Sequence, residues 1–164
     1  MDTLKLSELI GQEIKDLRFH YISENEHGLQ SFYSYIKLAN DVIIDIPKFN
    51  DDNDYLQLTE DNLDYLKKRF DTGELVNEKI KTYFVGQKIV DFYFSYYNNE
   101  VDSDYCAFIK LTNGYYLSEN NSGPVGLTDI DLIIIDENQF IERTKDLEEI
   151  EVDVRSFTKT QNVC

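Results

Sequence analysis

The 164-residue chain carries 32 acidic against 16 basic side chains, for a formal net charge of −16 and a sequence pI near 4.3. That balance excludes a protein that grips a phosphate backbone, which takes Lys and Arg, and one that docks on anionic lipid through a polybasic stretch. It does not mark disorder, because 41% of the residues are hydrophobic and 12 Tyr and 10 Phe supply apolar surface for one folded domain.

Ala occurs only at positions 39 and 107 and there is a single Met, while β-branched and aromatic residues abound, so strands should outweigh helices. Met1-Asp2-Thr3-Leu4-Lys5 has no secretory pattern. Apolar runs such as Leu132-Ile133-Ile134-Ile135 are too short to span a bilayer. Cys106 and Cys164 make neither a disulfide framework nor a metal-ligand spacing, and a reduced, cytoplasmic setting is expected.

The chain reads as a tandem repeat of residues 1–75 and 76–164, with the net charge divided evenly between them. Ile10-Gly11-Gln12-Glu13-Ile14-Lys15-Asp16-Leu17-Arg18-Phe19-His20-Tyr21 recurs as Val85-Gly86-Gln87-Lys88-Ile89-Val90-Asp91-Phe92-Tyr93-Phe94-Ser95-Tyr96. Tyr35-Ile36-Lys37-Leu38-Ala39-Asn40 recurs as Phe108-Ile109-Lys110-Leu111-Thr112-Asn113. A single unit of this size has a small core, so the two copies should pack as a pseudo-dimer.

In chain order, each copy opens with a short helix, near 3–10 or 78–85, stopped by Gly11 or Gly86, with Asn77 as N-cap of the second. A strand follows with alternating Leu17, Phe19 and Tyr21, or Phe92, Phe94 and Tyr96. After a polar loop (23–29 or 98–104) comes a strand with Ile36 and Leu38, or Ile109 and Leu111, on one face. It turns at Asn40-Asp41 or Asn113-Gly114 and returns through Val42–Ile46 or Tyr115–Leu117. A fourth strand is expected at Tyr55–Leu58 or Ile130–Ile135. Next is a helix, opened by Thr59 with Leu63, Leu66 and Phe70 at helical spacing, or running over Glu137–Arg143. Ile150-Glu151-Val152-Asp153-Val154 closes the chain as a period-2 strand. The fold class is α+β: two tandem antiparallel β-meanders with short helices.

A meander places alternate connections at opposite ends of its sheet. One end of the first copy gathers Glu24, Glu26, Asp51, Asp52 and Asp54, flanked by Phe49 and Tyr55. The matching end of the second gathers Glu100, Asp102, Asp104 and Glu119, flanked by Tyr97 and Tyr105. Glu149, Glu151 and Asp153 form a third acidic element on one face of the tail strand. Carboxylates beside aromatics suit a basic protein partner, the charges steering encounter and the rings anchoring it. The bland alternative is a solvated face.

No catalytic constellation emerges. His20 aligns with Ser95 in the other copy, and His27 sits beside Gly28 in a loop. Asp51-Asp52-Asn53-Asp54 lacks the glycine and closing glutamate of a calcium loop. Gly123-Pro124-Val125-Gly126 lacks the Lys-Ser/Thr of a phosphate-binding loop. No metal or cofactor is expected.

Phe108–Glu119, continuing to Gly123–Leu127, resembles bacterial immunity proteins of polymorphic-toxin and contact-dependent growth inhibition systems. The resemblance implies a cytoplasmic, non-enzymatic protein that binds one cognate toxin domain and blocks its active site or substrate access. The expected partner is a basic nuclease domain, acting on RNA rather than DNA. A second reading is a nucleic-acid mimic, with Glu149, Glu151 and Asp153 standing in for phosphates. A third is a small enzyme or ligand-binding module with an apolar pocket.

Overall fold

In the computed structural model, residues 4–22, 31–45, 57–58, 60–101, 107–119 and 132–161 are described. The first half begins with β1 (Leu4–Lys5) and a 3₁₀ helix over Leu6–Leu9, shorter than the helix expected near 3–10. Leu6 and Leu9, three apart, are both buried, which is the repeat of a 3₁₀ turn. Strands β2 (Ile14–Ile22), β3 (Ser31–Leu38) and β4 (Ile43–Asp45) form the meander. β5 (Gln57–Leu58) pairs with β1 and so does not extend that sheet as a fourth strand. α1 (Glu60–Asp71) follows, and β6 (Glu74–Leu75), unanticipated, adds to the free edge of β2. Thr59 lies outside the described residues.

The second half opens with α2 (Glu78–Lys81), where the Asn77 side chain accepts from the Lys79 N–H as N-cap. The helix ends four residues earlier than the sequence implies, and the chain continues in turns that drive Phe84 into the core. β7 (Ile89–Tyr97) folds back on β8 (Glu100–Val101). Asn98 and Asn99 both have positive φ, 53° and 64°, as a two-residue hairpin turn requires, so part of the expected 98–104 loop is a tight hairpin. β9 (Phe108–Leu111), β10 (Tyr116–Glu119) and β11 (Leu132–Ile135) complete the second meander. α3 (Glu137–Glu148) is capped by a reciprocal Asp136–Gln139 box and runs past Arg143. β12 (Val152–Ser156) and α4 (Phe157–Gln161) close the chain.

The two Asn turns have the same build. Leu38 N–H donates to Val42 C=O and Leu111 N–H to Tyr115 C=O, both at 2.9 Å. A left-handed residue follows each Asn, Asp41 at φ 66° and Gly114 at φ 88°. The loop is thus three residues long with a bulge, rather than the two-residue form.

The sheet orders are β4-β3-β2-β6 and β11-β10-β9-β7-β12, antiparallel throughout. Alternation along the strands sorts the side chains into three cores. Leu17, Ile36, Leu38 and Ile44 share the central core with Phe92, Phe94, Ile109, Leu111 and Leu117 of the other sheet. On the outer face of the smaller sheet, Tyr35 and Ile43 pack against Leu66 and Phe70 of α1. On the outer face of the larger, Phe108, Tyr116 and Ile135 pack against Phe140 of α3. The order of layers is helix, sheet, sheet, helix.

The sheets join through main chain. An antiparallel bridge links Glu13 to Lys88. Gly11 N–H donates to Ile89 C=O at 2.8 Å, and Gly86 N–H to Ile14 C=O at 2.9 Å. Ile14 N–H donates to Gln87 C=O at 2.8 Å, and Ile89 N–H to Gln12 C=O at 2.9 Å. Every bond given by one half is returned by the other.

Both glycines at this junction sit at left-handed φ, 89° for Gly11 and 87° for Gly86. Gly11→Ala and Gly86→Ala are each expected to cost about 1–2 kcal/mol, by similar amounts, because a Cβ is disfavoured there. Denaturant unfolding checks this; a neutral effect at both positions would contradict the junction.

Burial raises the phenol pKa of Tyr35, Tyr93 and Tyr116 above the ordinary value of 10.0. For Tyr116 a 2.5 Å bond to the Glu137 carboxylate adds to the effect of burial. Folding favours their neutral forms, so this contribution to stability is intact below pH of about 10 and is lost as pH rises further. Alkaline titration followed by tyrosinate absorbance, with circular dichroism to report the fold, checks this. The three buried phenols should ionise only as the protein unfolds, whereas early ionisation of all tyrosines with the fold intact would contradict the packing.

Candidate functional site

Of the residues expected to meet a partner, Glu24, Glu26, Asp51, Asp52, Asp54, Tyr55, Asp102, Asp104 and Tyr105 lie outside the described residues, as do His27 and Gly123–Gly126. Tyr97, Glu100, Glu149, Glu151 and Asp153 are described, and the fold gathers them at one end of the larger sheet. The rung Glu100–Tyr97–Val152 crosses β8, β7 and β12. Directly paired residues share a face, so Glu100 and Tyr97 stand on the face that carries α3. Asp153, paired with Tyr96, points to the other face.

The expected tail stripe does not form. α3 extends through Thr144–Glu148, Glu149 is its C-terminal cap residue, and Glu151 lies in the turn beyond. Only Asp153 of the three acidic residues is in β12. The strand starts at Val152 rather than Ile150, because Glu149, Ile150 and Glu151 make the turn between α3 and β12, with Glu151 at positive φ. Ile150, assigned by its alternation with Val152 and Val154 to a buried face, is 52% exposed.

Three features at this spot each oppose stability. Glu148 and Glu149 end α3, where the partial negative charge of the helix terminus disfavours carboxylates by about 0.3–1 kcal/mol each. Glu151 holds φ of 64°, a left-handed conformation that costs a residue with a Cβ about 1–2 kcal/mol. Tyr97 and Ile150 leave 39% and 52% of their surface in water. Lys145 is the cation in the last turn of α3, and Arg155 of β12 is occupied. Its guanidinium donates to Asn99 Oδ1 at 2.9 Å, pairs with Asp153 at 3.3 Å, and lies 4.5 Å from the centre of the Tyr96 ring. Glu100, paired with Tyr97, and Glu149 and Glu151, which flank Ile150 in sequence, thus lie at the same end of the sheet as two exposed apolar side chains.

Two further polar groups, Asp91 and His20, are spent on structure. The Asp91 carboxylate, buried at a bulge of β7, accepts from Phe92 N–H at 2.8 Å, Thr158 N–H at 3.1 Å and the Thr158 hydroxyl at 3.0 Å, and also from the Ser156 hydroxyl. It ties β7 to the start of α4. His20 Nε2 donates to the Arg69 carbonyl at 2.6 Å, satisfying the C-terminal end of α1. Among the described residues no group of three His, Cys, Asp or Glu side chains could hold a metal ion.

A shallow groove of about 410 Å³ lies at the N-terminal end of α3 and was not anticipated. Ile80, Tyr83, Tyr115, Ile134, Asp136 and Gln139 line it, with the two tyrosine rings edge to face at 5.2 Å. A second of about 440 Å³ adjoins it along the helix flank, sharing Gln139 and adding Ile135, Glu142, Arg143, Asp146 and Leu147. Tyr83 and Tyr115 come together only because the turns after α2 meet the β9–β10 hairpin, where Asn113 Nδ2 donates to Tyr83 C=O at 2.9 Å.

The chain matches no family model, no curated protein and no solved structure. Among the described residues, no helix is long and apolar enough to cross a membrane.

Glu151→Gly is expected to raise stability by about 0.5–1 kcal/mol, since glycine relieves more left-handed strain than it costs in unfolded-state entropy. Thermal unfolding checks this, and a loss of stability would show that the Glu151 side chain serves the fold.

Proposed function

We propose that this protein is a non-enzymatic acidic inhibitor: a cytoplasmic immunity protein that binds a basic toxin domain, an RNA-cleaving nuclease by preference. It blocks the toxin's active site or its access to substrate. The observation that carries this reading is the hairpin end of the larger sheet. There carboxylates, left-handed strain and exposed apolar groups persist together against stability, and such costs are retained where a surface serves binding. Carboxylates steer a basic partner into encounter, while Tyr97 and Ile150 supply contact area that desolvates on binding. The net charge of −16 extends the steering field over the whole molecule. The toxin reading is favoured over nucleic-acid mimicry, since a phosphate-like row along the tail strand would have Asp153 alone of its three members.

The same proposal includes a duplicated module, residues 1–75 and 76–164, packed as a pseudo-dimer. The supporting observation is the exchange of bonds at the junction: Gly11, Gln12 and Ile14 give and receive what Gly86, Gln87 and Ile89 receive and give. This is the signature of an isologous two-fold contact. The β4-β3-β2-β6 and β10-β9-β7-β12 orders are likewise parallel in construction, with β11 added to the second.

The test is co-expression of the full chain with the basic C-terminal domain of a toxin encoded beside it. A stable complex and rescue of toxin-expressing cells are expected; absence of both defeats the reading. In the complex, combined Glu100→Lys, Glu149→Lys and Glu151→Lys should slow association by roughly tenfold at low salt, with the difference shrinking as salt rises. An unchanged association rate removes this end of the sheet from the interface.

A further inference from the structure

The partner surface does not stop at the hairpin end. α3 runs from the Tyr83–Tyr115 groove to Glu149 and Ile150, and the second groove lies along its flank between these limits. The two grooves share Gln139 and flank the edge of β11 as one trough, with Ile80 and Ile134 on the inner face of the sheet and Ile135 and Leu147 on the face under α3. Its rim carries Asp136, Glu142 and Asp146 against Arg143. The Asp136 carboxylate is already engaged at the N-cap of α3, which leaves Glu142 and Asp146, with Arg143 beside them, as the outward carboxylates.

We propose that this trough docks an extended basic segment of the protein partner, its apolar side chains set against the Tyr83–Tyr115 end and its cations facing Glu142 and Asp146. The inference rests on the reading that the partner is a basic protein, and it names the form in which that partner is bound. Geometry favours an extended chain. Glu142 and Asp146 are four residues apart on a helix, about 6 Å along its axis. Alternate side chains of an extended strand repeat at about 6.6–6.8 Å, so Lys or Arg at every second position meets both carboxylates in turn. The intervening side chains project the opposite way. β11, which supplies Ile134 and Ile135, is the edge of its sheet, and among the described residues no strand pairs with its outer side. An extended segment in the trough therefore runs beside the outer edge of β11, with which no described strand pairs. A second copy of this chain is disfavoured as occupant, because two molecules at −16 repel.

The probe is a synthetic peptide of alternating Arg and Leu, titrated into the full-length protein and followed by backbone amide NMR at low and high salt. A peptide of the same composition with the Arg residues in one block serves as control. Amide shifts are expected at Tyr83, Tyr115, Ile134, Gln139 and Arg143, with tighter binding by the alternating peptide. Combined Glu142→Lys and Asp146→Lys should weaken that binding about tenfold. Tyr83→Ala should weaken it severalfold with less salt dependence. These side chains are exposed, and circular dichroism verifies that the variants fold. No binding, shifts confined to Glu100, Glu149 and Glu151, equal affinity for both peptides, or unchanged affinity in the charge-reversed variant would each overturn the proposal. The same charge-reversed variant, assayed against the toxin domain, separates the two ideas. Unimpaired toxin binding loses the trough and keeps the inhibitor, while peptide docking without any toxin complex does the reverse.

Discussion

The architecture depends on a main-chain exchange at one point. Two glycines, each in a conformation closed to other residues at low cost, let Ile14 and Ile89 approach across the junction and trade hydrogen bonds with Gly86 and Gln87, and with Gly11 and Gln12. That contact fixes the two sheets face to face. Once they are so fixed, Leu17, Ile36 and Leu38 find Phe92, Phe94 and Ile109, and a core forms that neither sheet could close alone. Each outer face is then left to its own helix, α1 on Tyr35 and Ile43, α3 on Phe108 and Tyr116.

Much of this was legible in the residues, where the signal was local. The alternation at Leu17 and Phe19, and at Phe92, Phe94 and Tyr96, announced the two central strands, and the Asn turns and the Asn77 cap were readable from residue type. What escaped was non-local. β6 and β12 occupy matching sheet edges, but Glu74–Leu75 is too short to show a period. The Asp91 network joins residues more than sixty positions apart. The tail strand is present from Val152, but alternation alone does not show where a strand begins, and the turn that carries the chain from α3 into β12 takes Ile150 and Glu151 out of it.

The candidate site divides in the same way. Tyr97, Glu100, Glu149 and Glu151 were nominated as acidic groups beside an aromatic, and the β7–β8 hairpin and the α3–β12 turn bring them to one end of a sheet. Their meaning changed with the fold. A tail stripe became a helix terminus and a strained turn, and Ile150 moved from an expected buried face into water. Arg155 and the Tyr83–Tyr115 pair carried no sequence signal, because their roles arise from contacts with Asn99, Tyr96 and Asn113 that only the folded chain creates.

The backbone character of the central junction has one further consequence. A contact made by main-chain amides does not record which side chains lie elsewhere on the molecule, so the outward surfaces can be rewritten without renegotiating how the halves meet. His20 and Arg69 meet at one end of α1, Tyr93 and Tyr116 pack beneath α3, and the same inner frame carries both. Such a frame lets the outer faces change residue by residue while the folding problem stays solved.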